Sequence, residues 1–348
     1  MKIGRNLVEL AEELNRQVNA KKDYLADTRN LAMSDSGDFL HMEHNGGLDL
    51  SVTNLCHSQI ATRLGIPQKY YDRMRHEDSE LLASNVNRWF QRKPERRMVR
   101  VLDNRARAFL SQRYRPLDNY DLAEAVLPKI REMECLIKSC ELTETRMYLQ
   151  VVTDRLTTEV KVGDAVQAGF IISNSEVGQG SLRVEPMIYR LRCLNGMISA
   201  DNRLRKYHVG KASSDDGLFN MYKDETRQLD DLTFWHKVRD VVEATLTRDK
   251  FEEMVEKLRL STEERIEGNP IKAVEEVGKR FLLNEDERGG VIRHLIEGAD
   301  LSRYGVMNAL TRMSQDIDDY DRAVEFERFG GEVIELPKSD WKVIASAN

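Results

Sequence analysis

The stretch MVRVLDNRARAFLSQRYRPLDNY, residues 98–120, alternates small apolar residues with arginines and is interrupted by one Asp-Asn pair. Asp103-Asn104 favours a two-residue turn, because short Asx side chains tolerate left-handed backbone and bond to their own neighbours. Pairing Leu102 with Arg105 across that turn places Val99, Val101, Ala106, Ala108 and Leu110 on one face of a hairpin. The opposite face receives Met98, Arg100, Leu102, Arg105, Arg107 and Phe109, continued by Ser111 and Arg113. Only the first face is built like a core.

Residues 88–115 around this hairpin hold ten Lys/Arg and two acids, a formal +8 in a chain of net charge -6. Everything else therefore carries -14, so positive charge is segregated. Such a segment suits a polyanion surface, pairing to the acidic remainder, or an ordinary solvated face. A guanidinium bonds directionally to phosphate oxygens and an aromatic ring stacks on an exposed base. Arg100, Arg105, Arg107 and Arg113 with Phe109 are thus candidates for a single-stranded nucleic-acid track, with Trp89, Phe90 and Tyr114 as secondary stacking residues. A second basic segment offers Arg183, Arg190 and Arg192, then Arg203, Arg205, Lys206 and Lys211. If its strand joins the hairpin's sheet, the two arginine sets align into one groove.

The expected fold class is α+β. A central, mostly antiparallel sheet with packed helices is flanked by helical N-terminal and C-terminal regions, with divisions at 1–85, 86–214 and 215–348. Leu7, Leu10, Leu14 and Val18 predict an amphipathic first helix. Ser51 is placed to cap a second helix, Gly65 to end it and Pro67 to open a third. SQIATRLGIPQKYYDRM, residues 58–74, has the outline of a helix-turn-helix but reads better as a packing corner. Met147 to Val152, GFIISN and SLRVEPMIYRLRCLNG predict strands, and Leu122 to Met133 a helix. Farther on, Ser261 and Glu264 have capping-box spacing, and Asn269-Pro270 suits a helix start. Val306 to Phe329 predicts one long helix stopped by Gly330-Gly331, with a late strand or a packed Trp341 in the tail.

With 41% hydrophobic and 32% charged residues, the 348-residue chain reads as folded rather than disordered. No stretch approaches the roughly 20 apolar residues of a membrane span, and the charged start lacks a secretory h-region, so a cytoplasmic location without membrane contact is expected. Cys56, Cys135, Cys140 and Cys193 match neither a disulfide framework nor a zinc motif. His41 and His44 have ligand-like spacing but no persuasive third partner, His57 reads as structural, and His208 is a weak phosphate candidate. Asp316, Asp318, Asp319 and Asp321 fall around more than one helix face, which suits salt bridges better than a metal centre. There is no phosphate loop, dinucleotide fingerprint or GxSxG elbow, so no cofactor, metal or catalytic residue is expected.

IATRLGIPQKYYDRM, VRVLDNRARAFLSQRYRPLDNYDL, RLRCLNGMI and YGVMNALTRMSQDIDDYDRAVEFERFGG occur in this order over roughly residues 50–335. In these stretches the chain resembles the DUF932 family of phage- and plasmid-associated proteins and, more remotely, the Rad52-like class of single-strand annealing proteins. The resemblance implies a mobile-element context and a role in DNA maintenance, without assigning any catalytic residue. The expected function is therefore noncatalytic binding of single-stranded DNA or another nucleic acid, promoting annealing or recombination by a homo-oligomer. A protein-interaction or regulatory module working with other mobile-element proteins, and a metal-dependent nuclease, are the competing expectations.

Overall fold

A computed structural model describes residues 1–43, 46–114, 116–199, 208–209 and 224–348, with the backbone alone for 208–209 and 224–232. The chain enters through helix α1 (Leu7–Ala20), closed at its start by a capping box in which Asn6 accepts from the Val8 and Glu9 amides and Glu9 accepts from that of Asn6. Leu10 and Leu14 are its buried face, whereas Leu7 and Val18 stay exposed.

Two sheets form where one was expected. The first contains β1 (Lys21–Asp27), β2 (Leu31–Met33), β3 (Phe39–Met42), β4 (Leu48–Val52), β5 (Arg96–Leu102) and β6 (Arg105–Ser111), in the order β1-β5-β6-β4-β3-β2. Four of these strands come from a region expected to be mainly helical. They are short, two of them of only three and four residues, and their apolar positions alternate too briefly to outweigh the turn-rich composition around them. Strand β4 pairs with β6 in parallel, which demands a crossover. Helices α2 (Asn54–Leu64), α3 (Gln68–Glu77) and α4 (Ser79–Arg92) supply it and cover one face of the sheet. Thr53, rather than Ser51, caps α2 by accepting from the Cys56 amide; Ser51 belongs to β4. Gly65 ends α2 at φ 70°, a left-handed position that costs glycine nothing. The α2–α3 pair is a packing corner, with Ile60 and Tyr71 buried under it.

The second sheet runs β11-β10-β9-β8-β7 and is antiparallel throughout. Its strands are β7 (Leu136–Leu142), β8 (Met147–Lys161), β9 (Asp164–Asn174), β10 (Leu182–Arg190) and β11 (Asn195–Ile198), with β12 (His208–Val209) also pairing to β10. One face packs on α1, α5 (Asn119–Glu132) and α6 (Asp224–Thr245) through Leu14, Val126, Phe170 and Val242. The other meets the C-terminal helices α7 (Arg248–Glu263), α8 (Pro270–Arg280), α9 (Glu285–Gly298), α10 (Arg303–Met313), α11 (Tyr320–Glu335) and α12 (Lys338–Ala345). Cover on both faces explains why β9 and β10 read as nearly continuous apolar runs rather than as alternating strands. The fold is α+β, and among the described strands all pairings are antiparallel except that of β4 with β6. The expected division near residue 86 falls inside α4, and the one near 215 lies outside the described residues.

Four C-terminal expectations change. The long helix is two, because Asp319 caps a new start at α11 by accepting from the Arg322 amide. Gly330-Gly331 does not stop α11 but lies within it, where a Cβ on Gly330 would meet Thr311 Cγ2 at 2.4 Å; the glycine permits close approach of α10. In the tail helix α12 stands in place of the late strand, while Trp341 is packed as the other expectation had it, and Ser261 sits in the last turn of α7 donating to the Leu258 carbonyl rather than capping a new helix. Asn269-Pro270 does start α8, its amide oxygen accepting from Ile271 and Lys272.

A buried ion network joins the two sheets. Arg100 on β5 is 2% exposed and donates at 2.8 Å to Asp23 on β1, to Asp118 before α5 and to the Glu176 carbonyl after β9. Lys21 pairs with Asp118 at 2.7 Å, and the Glu176 carboxylate accepts from the Asn119 amide at 2.7 Å and from Arg107 at 3.4 Å. Removing one member of such a network leaves charges without their partner. Arg100→Ala is expected to cost roughly 3 kcal/mol in urea unfolding, whereas a cost near zero would show the pairing to be dispensable. Burial opposes the charge of Asp118, but Arg100 and Lys21 more than offset it and hold the carboxyl below its ordinary 3.8. Its stabilising contribution is present above that value and lost as pH falls through the lower folded value.

Glu327 on α11 behaves oppositely. It is 1% exposed, accepts from Gln150 at 2.6 Å, and is pushed up to about 7 by burial, with the Met1 ammonium 3.9 Å away acting against this. Between its ordinary 4.5 and about 7 the folded protein holds a proton that the unfolded chain releases, so this group's contribution falls as pH rises. Unfolding curves across that window should show Glu327→Gln losing the pH dependence due to this carboxyl; parallel wild-type and variant profiles would refute it.

Candidate nucleic-acid interface

The β5–β6 hairpin forms as its sequence suggests, up to its third pair. Asp103 and Asn104 take φ 52° and 57°, the conformation of a type I′ turn, and Leu102 pairs with Arg105 and Val101 with Ala106. The register then slips, so that Arg100 faces Ala108 and Val99 faces Phe109, leaving Arg107 as the extra residue of a bulge. A slip of one residue exchanges the faces of everything beyond it. Phe109 therefore joins Val99 and Val101 in the helix-covered core, 1% exposed, its ring stacked 5.7 Å from Phe90. Ala108 and Leu110 move to the other face, against Val177.

This corrects the expected track. Phe109 has no surface for a base. Arg100 is enclosed by Asp23, Asp118 and Glu176, and Arg107, 8% exposed, lies between the Glu176 carboxylate and the Glu144 carbonyl. Burial pulls the Arg107 guanidinium below its usual range, with Glu176 only partly compensating. The face expected to carry phosphates is instead the joint between the sheets. Arg105 is exposed but bonded to Glu144 at 3.0 Å, and Arg113 is exposed just beyond β6.

Nor do Arg190 and Arg192 join the arginines of the hairpin. Arg183 pairs with Ser173, beside the loop that carries Glu176, whereas Arg190 pairs with Val166 at the opposite end of β10. Eight residues at about 3.3 Å each separate Arg190 from Leu182 by roughly 26 Å. Arg190 is held by Asp164 at 2.5 Å, and Tyr304 donates to the same carboxylate at 2.9 Å. Arg192 is exposed at that far end. Arg203, Arg205, Lys206, Lys211 and His44 lie outside the described residues, as does the side chain of His208.

What the structure does bring together is the opposite end of the hairpin. The Thr28 amide donates to the Glu95 carbonyl at 2.9 Å, and Gln91 donates to the Arg29 carbonyl at 3.0 Å, so the turn after β1 meets the end of α4. Arg88 and Arg92 share one face of α4 at i,i+4, with Lys93 5.0 Å from the Trp89 ring beside them. Arg29, Arg88, Arg92, Lys93, Arg96 and Arg113 are all exposed here, against the acids Asp27 and Glu95. At the start of β5, beside Glu95 and Arg96, lies a groove of about 470 Å³ between α2, the ends of β5 and β6, and Gly178-Gln179. Arg63, paired to Glu95, and Arg97 line it. Arg97 caps the Phe109 ring at 5.0 Å and donates to the Phe109 carbonyl at 3.3 Å, while its buried Nε has no hydrogen-bond partner. Burial lowers its pKa, with the Glu95 carboxylate, 4.0 Å from Nε, resisting, and its guanidinium lines the groove where an oxyanion would sit.

Arg29 and Arg63 escape a reading by segments because they are single basic residues far from the cluster in sequence. Arg88, Arg92, Lys93 and Arg96 are in the +8 segment, but a search for stacking aromatics draws attention to the hairpin instead. The arrangement offers charge-assisted bonds to phosphate without an evident acid–base pair. Among the described residues no group of three or more His, Cys, Asp or Glu is placed to hold a metal ion. His57 is buried against the Tyr71 hydroxyl at 2.9 Å and driven down to about 3 by burial, and His41 faces Asp49 at 2.8 Å. Asp316 pairs with Arg293 and His294, Asp319 caps α11, and Asp321 accepts from Thr143 and Thr145, so the acidic run is divided among separate tasks.

No helix among the described residues is long and apolar enough to cross a membrane. No curated protein and no solved structure matches the chain. The match to a family model begins inside β6, spans the second sheet and ends at the start of α11, leaving α1–α4 and β1–β5 outside it. That model, described as a domain of unknown function, DUF932, matches residues 107–322, and the chain belongs to this family.

Proposed function

We propose that the protein binds single-stranded DNA without sequence preference at the cationic end of the first sheet, and that it promotes annealing by holding strands in an extended form. The observation that carries this reading is the set of exposed cations at one end of the first sheet, Arg88, Arg92, Lys93, Arg96 and Arg113 with the Asp27-paired Arg29, at the end where Arg63 and Arg97 line a groove. Phosphate contacts made there neutralise strand repulsion while leaving base edges free to pair. The partly exposed Trp89 and Tyr114 supply apolar area near the basic surface. The acidic charge of the rest of the chain repels a strand laid elsewhere and so directs it to this end. A concave groove favours a flexible single strand over a duplex, whose major groove is read by a protruding helix or ribbon. The corner formed by α2 and α3 buries Cys56, His57, Ile60 and Tyr71 and keeps that face inside the fold.

Fluorescence anisotropy with labelled oligonucleotides over a salt series tests this. Single strands should bind more tightly than duplex, with a log–log salt slope of roughly -4 for about six phosphate contacts. Replacing Arg92, Lys93, Arg96 and Arg113 together by Gln should weaken binding about ten-fold or more and flatten the slope, because exposed charges are lost without a change in the core. Arg192→Gln, at the far end of β10, should change neither. Complementary strands should anneal faster with the native protein than with the quadruple variant. No binding at low salt, or equal binding by the variant, would overturn the proposal.

A further inference from the structure

On the other side of the Gly178-Gln179 loop lies a second concavity of about 750 Å³, between the second sheet and helices α8 and α11. Its volume falls in the range of small-ligand sites. Arg146, Arg183, Arg280, Arg322 and Arg328 line it, brought from the turn before β8, from β10, and from α8 and α11. Five guanidinium groups in one cleft repel one another unless anions stand between them. Much of that compensation is internal: Arg328 bonds to Glu185 at 2.6 Å, Arg322 to Glu287 at 2.8 Å and to Glu325 at 2.7 Å, Arg280 to Asp340 at 2.9 Å, and Asp321 lines the cleft as well. Arg146 is different, since one terminal nitrogen donates to the Gln179 carbonyl and the other, Nη1, is buried with no hydrogen-bond partner. A buried charged donor left without an acceptor costs free energy that an incoming oxyanion would recover.

The wall opposite is apolar. Phe281 and Phe329 stack with centroids 4.7 Å apart, and Leu282 stands 85% exposed at the mouth. Leu282 holds φ 53°, a conformation that a leucine rarely adopts, just past the end of α8. The backbone there ends the helix, with the Leu283 amide bonded back to the Gly278 carbonyl at 2.9 Å, and this turns the Leu282 side chain out to the mouth of the cleft, where its exposure is unfavourable without a ligand. A ligand with a phosphate at one end and a flat, weakly polar group at the other would satisfy both walls.

We propose that this cleft binds a nucleoside 5′-phosphate, its phosphate on Arg146, Arg183 and Arg280 and its base against the lip formed by Leu282 and the Phe281–Phe329 pair. The exposed carboxylate of Glu332 on the rim is placed to accept from a sugar hydroxyl or base amino group. The ligand is either a free nucleotide or the 5′-phosphorylated end of a strand. None of the cationic residues of the strand surface takes part, so the assignment stands or falls separately from strand binding. The two concavities nevertheless share Gln179, so a strand lying in the first groove can deliver its end to the second.

Isothermal titration of the full chain with adenosine monophosphate, inorganic phosphate and adenosine decides the matter, with 5′-phosphorylated and 5′-hydroxyl oligothymidylates identifying the source. The monophosphate should bind more tightly than phosphate, and adenosine should not bind measurably. Arg146→Gln should weaken the monophosphate about ten-fold or more, as should Arg280→Gln, whose exposed position keeps folding intact. Leu282→Gly should weaken the monophosphate but not phosphate. A preference for the 5′-phosphorylated strand that disappears in Arg146→Gln marks the strand end as ligand; equal binding of both strands beside a bound monophosphate marks the free nucleotide. Binding of the monophosphate by a protein that ignores both strands would leave this cleft standing and remove the strand surface. No monophosphate binding at millimolar concentration, or unchanged affinity in both arginine variants with native melting temperatures, would overturn the assignment.

Discussion

The buried guanidinium of Arg100 is the constraint from which the arrangement of the two sheets follows. Its three hydrogen bonds reach three separate parts of the chain: the first strand, the residue before α5, and the loop after β9. A charge taken so far from water is tolerable only with well-placed partners, and each partner belongs to an element that must arrive in one position. Lys21, Arg107 and Glu176 extend the same network, so its three cations meet the three carboxylates of Asp23, Asp118 and Glu176. The resulting joint is polar and directional where a purely apolar one would tolerate sliding.

Part of the charge segregation visible in the sequence is therefore internal. Arginines at alternate positions of a hairpin give the impression of a surface, and at Arg105 the impression is right. At Arg100 and Arg107 the same pattern supplies the inner layer between two sheets. The bulge at Arg107 completes the inversion by turning Phe109 into the core of the first sheet and Ala108 and Leu110 toward the second. The cationic surface that remains is assembled from α4, the turn after β1 and the hairpin's open end. The arginine cleft beyond Gln179 draws its walls from still more distant elements.

Local chemistry was the most legible part of the fold. The Gly65 helix end, the Asn269-Pro270 helix start and the Asp103-Asn104 turn all depend on residues within a few positions of one another, and all formed. Strands β1–β4 were hidden because short strands in turn-rich sequence have little periodicity to show. Gly330-Gly331 had the composition of a helix stop, but in α11 the missing Cβ serves contact with Thr311 on α10. For the candidate sites the limit was sharper: the +8 segment was visible, whereas Arg29 and Arg63 stood alone in sequence, as did Arg146.

The sequence by itself determined the class, α+β with largely antiparallel pairing, the places of most helices and of the central strands, the two-residue hairpin turn and the excess of positive charge around it. These follow from propensity, period and short-range bonding, which act over a few residues. Only the tertiary structure decided that the strands divide into two sheets, that a one-residue slip exchanges the faces of the hairpin, and which arginines reach water. Register and burial depend on partners brought together from distant parts of the chain, and a shift of one residue is enough to exchange a surface for a core.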